Sequence, residues 1–463
     1  MKGRTMRLHR RCSVIDVLTV ALLMLVVDAF CVRPPAHAVP SFARQTGMPC
    51  TACHTNFPTL TPFGRAFKLN GYVMRGGQRT DSWQDVLKDV HLAAMVQPSF
   101  THTNKDQTAN AAPHFGENDN FAMSQISLFY AGQLFWKVGA FVQGTWDGIA
   151  RQWSWDNVDI RFADATTLAD RSLVYGMTFN NNPTVQDLWN TTPAWGFPFT
   201  GSGVAPTPAA ATLIQGGFGQ QVFGFGAYAL WDDLVYVEGS AYRTLGDNIQ
   251  NALGVDPGGE AEISGMAPYW RLALQHSWGS HYLELGHYGL WASTYPGRDQ
   301  SAGTDHTSDL GFDTQYQYFS PQHDVTLLAT WIREDDDWNA SRTLGATDNG
   351  ANVLNAFNLT ASYLYDKTFG LTAGFFDING RHDAALFADS QKGSADSYGE
   401  IIQLDYLPFN KGGGPAFWPD SNVKLSAQYT LYQQFDGAHS NIDGAGRHPS
   451  DNNTLYLEAW IVF

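Results

Sequence analysis

Two thiols and an imidazole stand together in Cys50-Thr51-Ala52-Cys53-His54. Thiols three positions apart can meet the two vinyl groups on one edge of a haem, and the adjoining histidine then sets a ring nitrogen under the iron. Three other chemistries use a Cys-x-x-Cys pair. A thioredoxin-like redox couple needs a βαβ setting that this stretch lacks; a disulfide here closes a strained four-residue loop; a zinc site needs a second thiol pair. The spacing therefore favours one covalently bound haem c, with Cys50 and Cys53 as tethers and His54 as the proximal iron ligand.

An electron-transfer iron usually keeps six ligands, and a methionine sulfur raises the potential relative to a second histidine. Met48 is too close to Cys50 for the chain to wrap to the far side of the ring. Met74, twenty residues past His54, is the candidate distal ligand, with His91 and Met95 as fallbacks; the plain alternative is that Met74 is an apolar gap-filler. An open iron position would instead suit a peroxidase-type haem protein.

The elements that must hold these groups are short. Thr61-Pro62 predicts the cap and first turn of a helix that Gly71 ends, with Phe63, Ala66 and Phe67 on one face for a porphyrin or a surrounding wall. Residues 39–80 are too few to bury a haem alone, so the rest of the chain must help enclose it.

Ahead of this module, residues 1–38 read as a cleaved signal peptide: Lys2, Arg4, Arg7, Arg10 and Arg11, a mostly apolar stretch from Val14 to Phe30, then Ala36-His37-Ala38. An uncleaved anchor helix is the competing reading, and Asp16, Asp28 and Pro34-Pro35 suit it badly. Cleavage removes six basic and two acidic residues, leaving 22 and 42, a net charge near −20. Such a chain repels nucleic acid and favours cations.

From about residue 89 to 463 the pattern becomes period two. Leu455, Leu457, Ala459, Ile461 and Phe463 alternate with Tyr456, Glu458, Trp460 and Val462, and similar runs begin near 89, 121, 136, 153, 170, 216, 233, 266, 280, 306, 321, 354, 367, 395, 420 and 452. Connections after the second, sixth, eighth, tenth and twelfth runs are tight, and those after odd runs mostly long. Even number, export, aromatic strand ends such as Trp331, Trp338, Tyr363 and Tyr365, and a terminal Phe463 predict an all-β fold. It is a 16-stranded antiparallel transmembrane β-barrel in the outer membrane, preceded by the small c-type haem module. A soluble sandwich or propeller is the alternative.

In that barrel both chain ends are periplasmic and the long loops external, and a single haem can join the two sides only from the lumen or the periplasmic mouth. The linker from Arg75 to Lys88 is long enough to return from the lumen to the first strand. The longest unpatterned stretch, Asn180 to Gln215, is either a constriction folded onto the haem module or an external lid. Glu334-Asp335-Asp336-Asp337 is expected on an external loop, as a cation-concentrating cluster or a solvated tip. His276, His281 and His287 could face the lumen, though their irregular spacing marks them as wall residues.

The lead Pro40-Ser41-Phe42-Ala43-Arg44-Gln45-Thr46-Gly47, the haem motif, and Phe63-Gly64-Arg65-Ala66-Phe67-Lys68-Leu69-Asn70-Gly71-Tyr72 ahead of sixteen strands resemble the outer-membrane cytochrome–porin fusions of proteobacteria, which include Fe(II)-oxidising cytochromes. The resemblance implies a single c-type haem on Cys50, Cys53 and His54, a porin-like barrel behind it, and electron transfer across the outer membrane. The expected function is transfer from an extracellular donor, Fe(II) leading, to a periplasmic cytochrome or copper protein, in contact with outer-membrane lipids. A diffusion porin with a haem plug or sensor is the alternative class. Sixteen-strand porins commonly form homotrimers, and no interface for one is legible in the chain.

Overall fold

The computed structural model describes residues 40–74, 91–258, 261–415, 418 and 421–463. The signal peptide and the Arg75–Lys88 linker lie outside the described residues.

Sixteen long strands form: β1 (Leu92–Thr103), β2 (Asn120–Phe135), β3 (Val138–Asp147), β4 (Gln152–Leu168), β5 (Arg171–Asn180), β6 (Val222–Trp231), β7 (Val235–Thr244) and β8 (Ala267–Trp278), then β9 (His281–Tyr295), β10 (Asp305–Phe319), β11 (His323–Asp337), β12 (Ala351–Tyr365), β13 (Phe369–Gly380), β14 (Ser397–Tyr406), β15 (Asn422–Gln434) and β16 (Thr454–Val462). A two-residue strand, Glu262–Ile263, adds to the end of β9. Each long strand pairs antiparallel with the next, and β1 closes the ring on β16 from Met95 opposite Val462 to Thr103 opposite Thr454. Closure leaves no open sheet edge, which is what lets strands cross lipid. Pro98 is tolerated inside β1 because the register to β2 shifts between Gln97 and Pro98.

Alternation gives the wall two chemistries. Leu272, Leu274, Phe312, Leu359, Leu371 and Leu404 are exposed on the outer face, where an outer-membrane barrel carries its apolar band. Trp231, Trp278, Tyr365 and Phe369 are exposed near the short-turn rim, as an interfacial girdle. At that rim Ala169-Asp170 turns the chain with φ of 53° and 60°, the paired left-handed geometry of a two-residue hairpin. Inward positions are polar: Arg161, Arg271, Glu284 and Gln315 are all fully buried.

That polarity moves two expected features. Glu334 to Asp337 do not form a loop but end β11, paired to β10 and β12, so alternation splits them. Glu334 and Asp336 are buried on the lumenal side, while Asp335 and Asp337 are exposed, Asp335 joined to Arg333 at 2.9 Å. Four carboxylates therefore do not share one site. His281 and His287 lie on β9 in phase with outward Leu283 and Leu285, and His276 on β8 in phase with Leu272 and Leu274. None of the three faces the lumen; the Nε1 of Trp270 donates to His287 Nε2 at 3.2 Å on the wall.

Two segments fill the lumen. The first is residues 40–74, with helices α1 (Pro40–Thr46), α2 (Cys50–Cys53) and α3 (Pro62–Leu69). The predicted cap is present: Gly64 N donates to Thr61 Oγ1 at 3.1 Å, and Gly71 follows the helix with φ of 70°. Gly64 also lets α3 cross α2, since a Cβ there would meet the Cys53 carbonyl oxygen at 2.2 Å. The second is residues 181–221 between β5 and β6, which turn inward. Asp187 and Trp189 are fully buried, and Gln315 Nε2 on β10 donates to the Trp189 carbonyl at 2.6 Å. Of the two readings of the long stretch, the inward fold is the one adopted.

Candidate functional site: a lumenal cavity around the thiol pair

The segment 40–74 is anchored all round the barrel by polar contacts that only a lumenal position allows. Arg65 donates from Nη1 to Gln315 Oε1 at 2.7 Å and Gln317 Oε1 at 2.6 Å on β10, and its guanidinium lies 3.8 Å from the Tyr282 ring centre on β9. Tyr72 donates to Asp159 on β4 at 2.6 Å, Tyr228 on β6 to the Leu69 carbonyl at 2.7 Å, and Asn56 to Asp405 on β14 at 2.6 Å. Lys424 on β15 donates to the Phe57 carbonyl at 2.9 Å. Hydrogen bonds to charged groups are worth more than neutral ones, about 1.5–3 kcal/mol each. The contacts spread over six strands, which fixes the segment's position and rotation.

The inward loop locks it from the other side. Lys68 Nζ donates to the carbonyls of Val185 at 2.8 Å and Asp187 at 2.5 Å, and lies 4.9 Å from the Trp195 ring centre. Burial brings the Lys68 amine down to about 7, and nearby Arg161 acts in the same direction. Asn190 Nδ2 donates to the Pro58 carbonyl at 3.0 Å.

Between the two segments and the wall lies a cavity of about 430 Å³, within the size range of cofactor sites. Cys50, Cys53 and His54 all line it. So do Phe57 and Phe67 from the segment, Phe129 and Phe141 from β2 and β3, and Trp460 from β16, giving an aromatic surround. Ala93, Met95, Asn422 and Val462 on its wall lie towards the short-turn ends of β1, β15 and β16, while Gln125 and Asp156 lie towards the other ends of β2 and β4, so the cavity extends from the short-turn side into the middle of the barrel.

The donor set fits a covalently tethered haem. The two cysteines are thiols rather than a disulfide. Burial pushes the Cys50 thiol up to about 12 and Cys53 up to about 11, so both stay protonated at neutral pH. His54 Nδ1 is 3.2 Å from the Pro58 carbonyl oxygen. A carbonyl only accepts, so Nδ1 carries the proton and Nε2 keeps its lone pair. Burial lowers the ring to about 4, outweighing the carbonyl contacts that favour the protonated form. The imidazole is therefore a neutral nitrogen donor at physiological pH, in the tautomer that binds metal through Nε2.

Other predicted residues fall differently. On α3 only Phe67 of the expected face lines the cavity; Phe63 and Ala66 are exposed. Met74 is not among the lining residues, whereas Met95, one of the two fallbacks, is 4% exposed and lines it. His91 is buried against Tyr130 and does not line it. The alternation in β1 carried the signal for Met95, which shares its inward phase with Ala93 and Gln97. Asn190, Trp195 and Phe199 of the inward loop also line the cavity, and no spacing in the sequence pairs them with the thiols.

No protein-family model matches the chain, and no curated protein matches it. Among solved structures it is similar to an anion-selective porin from Comamonas acidovorans, at 13% identity and a TM-score of 0.44, over 80% of this chain and 98% of that one. It is also similar to OmpT, an outer membrane protein of Vibrio cholerae, at 9% identity and a TM-score of 0.40, over 80% and 96% of the two chains. A third is the outer membrane channel DcaP of Acinetobacter baumannii, at 11% identity and a TM-score of 0.41, over 81% and 97%.

Proposed function

We propose that this outer-membrane barrel carries one covalently bound haem in its lumen and passes single electrons from an extracellular donor, Fe(II) leading, to a periplasmic cytochrome or copper protein. The observation that carries the reading is the thiol pair and a neutral, Nδ1-fixed His54 on one aromatic cavity inside a closed barrel. A haem held there supplies a one-electron couple at that point.

The chain's own residues do the rest. Cys50 and Cys53 hold the group in one orientation, and His54 offers Nε2 to the iron. Because both thiols are buried once the segment is seated, haem attachment would have to precede insertion into the barrel. Phe57, Phe67, Phe129, Phe141 and Trp460 exclude water, which fixes the local dielectric and hence the potential. The apolar band of such a barrel is about 25 Å tall. A cavity in the lumen divides that height, so neither donor nor acceptor faces all of it.

A second reading, a diffusion porin, draws support from the sixteen-strand wall and its polar interior. Two buried segments packed against each other across that interior oppose free passage. Mixing the oxidised protein in detergent with Fe(II) separates the two: rapid appearance of the reduced haem spectrum, with little ion conductance in planar bilayers, is the expected result. Large, steady conductance from a chain that Fe(II) leaves unchanged would favour the porin.

A further inference from the structure

We propose that Asn190 of the inward loop is a positioning residue that sets the donor strength of His54, and through it the reduction potential of the site. The inference rests on the haem reading above. The Pro58 carbonyl oxygen accepts two hydrogen bonds, one from His54 Nδ1 at 3.2 Å and one from Asn190 Nδ2 at 3.0 Å. A carbonyl has two lone pairs, and each donor it serves withdraws density from the other. Asn190 thus weakens the Nδ1–H···O bond. A weaker bond leaves the imidazole less anionic in character, and a less electron-rich nitrogen donor would favour Fe(II) over Fe(III) in a haem held there. The effect is a higher potential, in the direction an acceptor of donor electrons needs.

The backbone explains why asparagine stands here. Residue 190 has φ of 59°, the left-handed conformation that Asn, Asp and Gly tolerate and most residues do not. Asn190 is 3% exposed, and its Oδ1 has no hydrogen-bond partner among the described residues. An orphaned buried acceptor costs free energy, so the loop's own stability is not what this amide serves best. The residue also lines a second cavity of about 220 Å³ on the β11–β12 side, so it stands in the partition between that chamber and the thiol cavity.

The test uses two substitutions that the left-handed backbone accepts. Asn190→Gly removes the donor, and Asn190→Asp keeps the shape without it. In the haem-loaded full chain, both are expected to shift the Fe(III)/Fe(II) equilibrium about tenfold toward Fe(III), by analogy with the low end of what a lost outer-shell partner does to metal affinity; tenfold is about 59 mV for one electron. The proton resonance of His54 Nδ1–H in the ferrous protein moves downfield as its bond to Pro58 tightens, a change that loosened packing alone would not give. A haem-bearing Asn190→Gly protein with unchanged potential and unchanged resonance overturns the role of Asn190. A wild-type chain without covalent haem overturns the reading beneath it.

Discussion

Two clusters of buried charge in the lumen, one around Arg161 and Arg271 and one at the long-loop rim, are built in different ways. Near the short-turn rim and mid-wall, two buried arginines meet carboxylates directly: Arg161 holds Asp159 at 2.7 Å, and Arg271 faces Asp313 at 2.7 Å, Glu284 at 3.2 Å and Asp187 at 3.5 Å. Toward the long-loop rim, Asp305, Asp309, Glu334 and Asp336 are buried on the same inner face, and no ion pair of theirs is found among the described residues. Neutral donors serve them: the Ile214 amide to Asp309 at 2.7 Å, the Leu213 amide to Glu334, Thr307 to Asp336 at 2.7 Å, and the Ala340 amide to Asp305 at 2.8 Å. Glu334 also hydrogen-bonds to the Asp309 and Asp336 carboxyls, which takes protons shared within the cluster. Compensated charge builds a rigid seat for the inserted segments. Carboxylates without a basic partner make the mouth acidic, and the charge they keep after sharing protons would favour an approaching cation.

The contrast breaks most visibly at Arg271. Arg271→Met strands three buried carboxylates and is expected to cost about 3–5 kcal/mol, read as a lowered urea midpoint of the barrel in detergent. Glu334→Gln, which keeps the acceptor for Leu213, is expected to cost under about 1 kcal/mol in the same assay. Equal losses would mean that the two clusters do not differ.

The field itself is tested by the double change Glu334→Gln with Asp336→Asn. It is expected to slow reduction by Fe(II) about tenfold at low ionic strength, with the difference shrinking as salt screens it. Stopped-flow traces across a salt series give the answer, and a salt-independent effect would point to a structural change instead.

Tyr72→Phe probes the seat more gently. Loss of its bond to Asp159 is expected to loosen residues 40–74 by about 1–2 kcal/mol, seen as faster protease clipping of that segment while the barrel's heat-modifiable mobility is unchanged.

The smallest effect is pH dependence in a chain whose thiols are replaced, Cys50→Ala with Cys53→Ala. His54 titrates near 4 when seated and near about 6.5 when released. The released segment therefore binds the extra proton between these values, so seating weakens as pH falls from about 6.5 to 4 and is flat outside that window. Histidine NMR in micelles should show one ring titrating well below the exposed ones.

Strands were the most legible part of the chain, because period-two alternation is a direct consequence of one face in lipid and one in a polar lumen. The sixteen predicted starts lie within six residues of the observed ones, the largest gap being β6, where Gly216 to Gln221 looked like strand and belongs to the inward loop. Glu334 to Asp337 were misread because a charged run suggests solvent, and inside this barrel it is compatible with a strand. The phase of His281 and His287 with Leu283 and Leu285 already marked them as outward. The thiol pair and His54 were legible as chemistry, and Met95 was legible through its inward phase in β1, though it stood behind Met74; Asn190 was not, since its meeting with the cavity depends on the inward turn of a loop whose direction its aromatics do not specify.

The central claim is that Cys50, Cys53 and His54 hold a haem inside the barrel, and the most direct test is the mass of the denatured chain after expression with a c-type maturation system. Wild-type protein is expected to carry the mass of one haem, retained through denaturation, and the Cys50→Ala, Cys53→Ala chain none. Wild-type protein folded as a barrel but carrying only the mass of its polypeptide would contradict it.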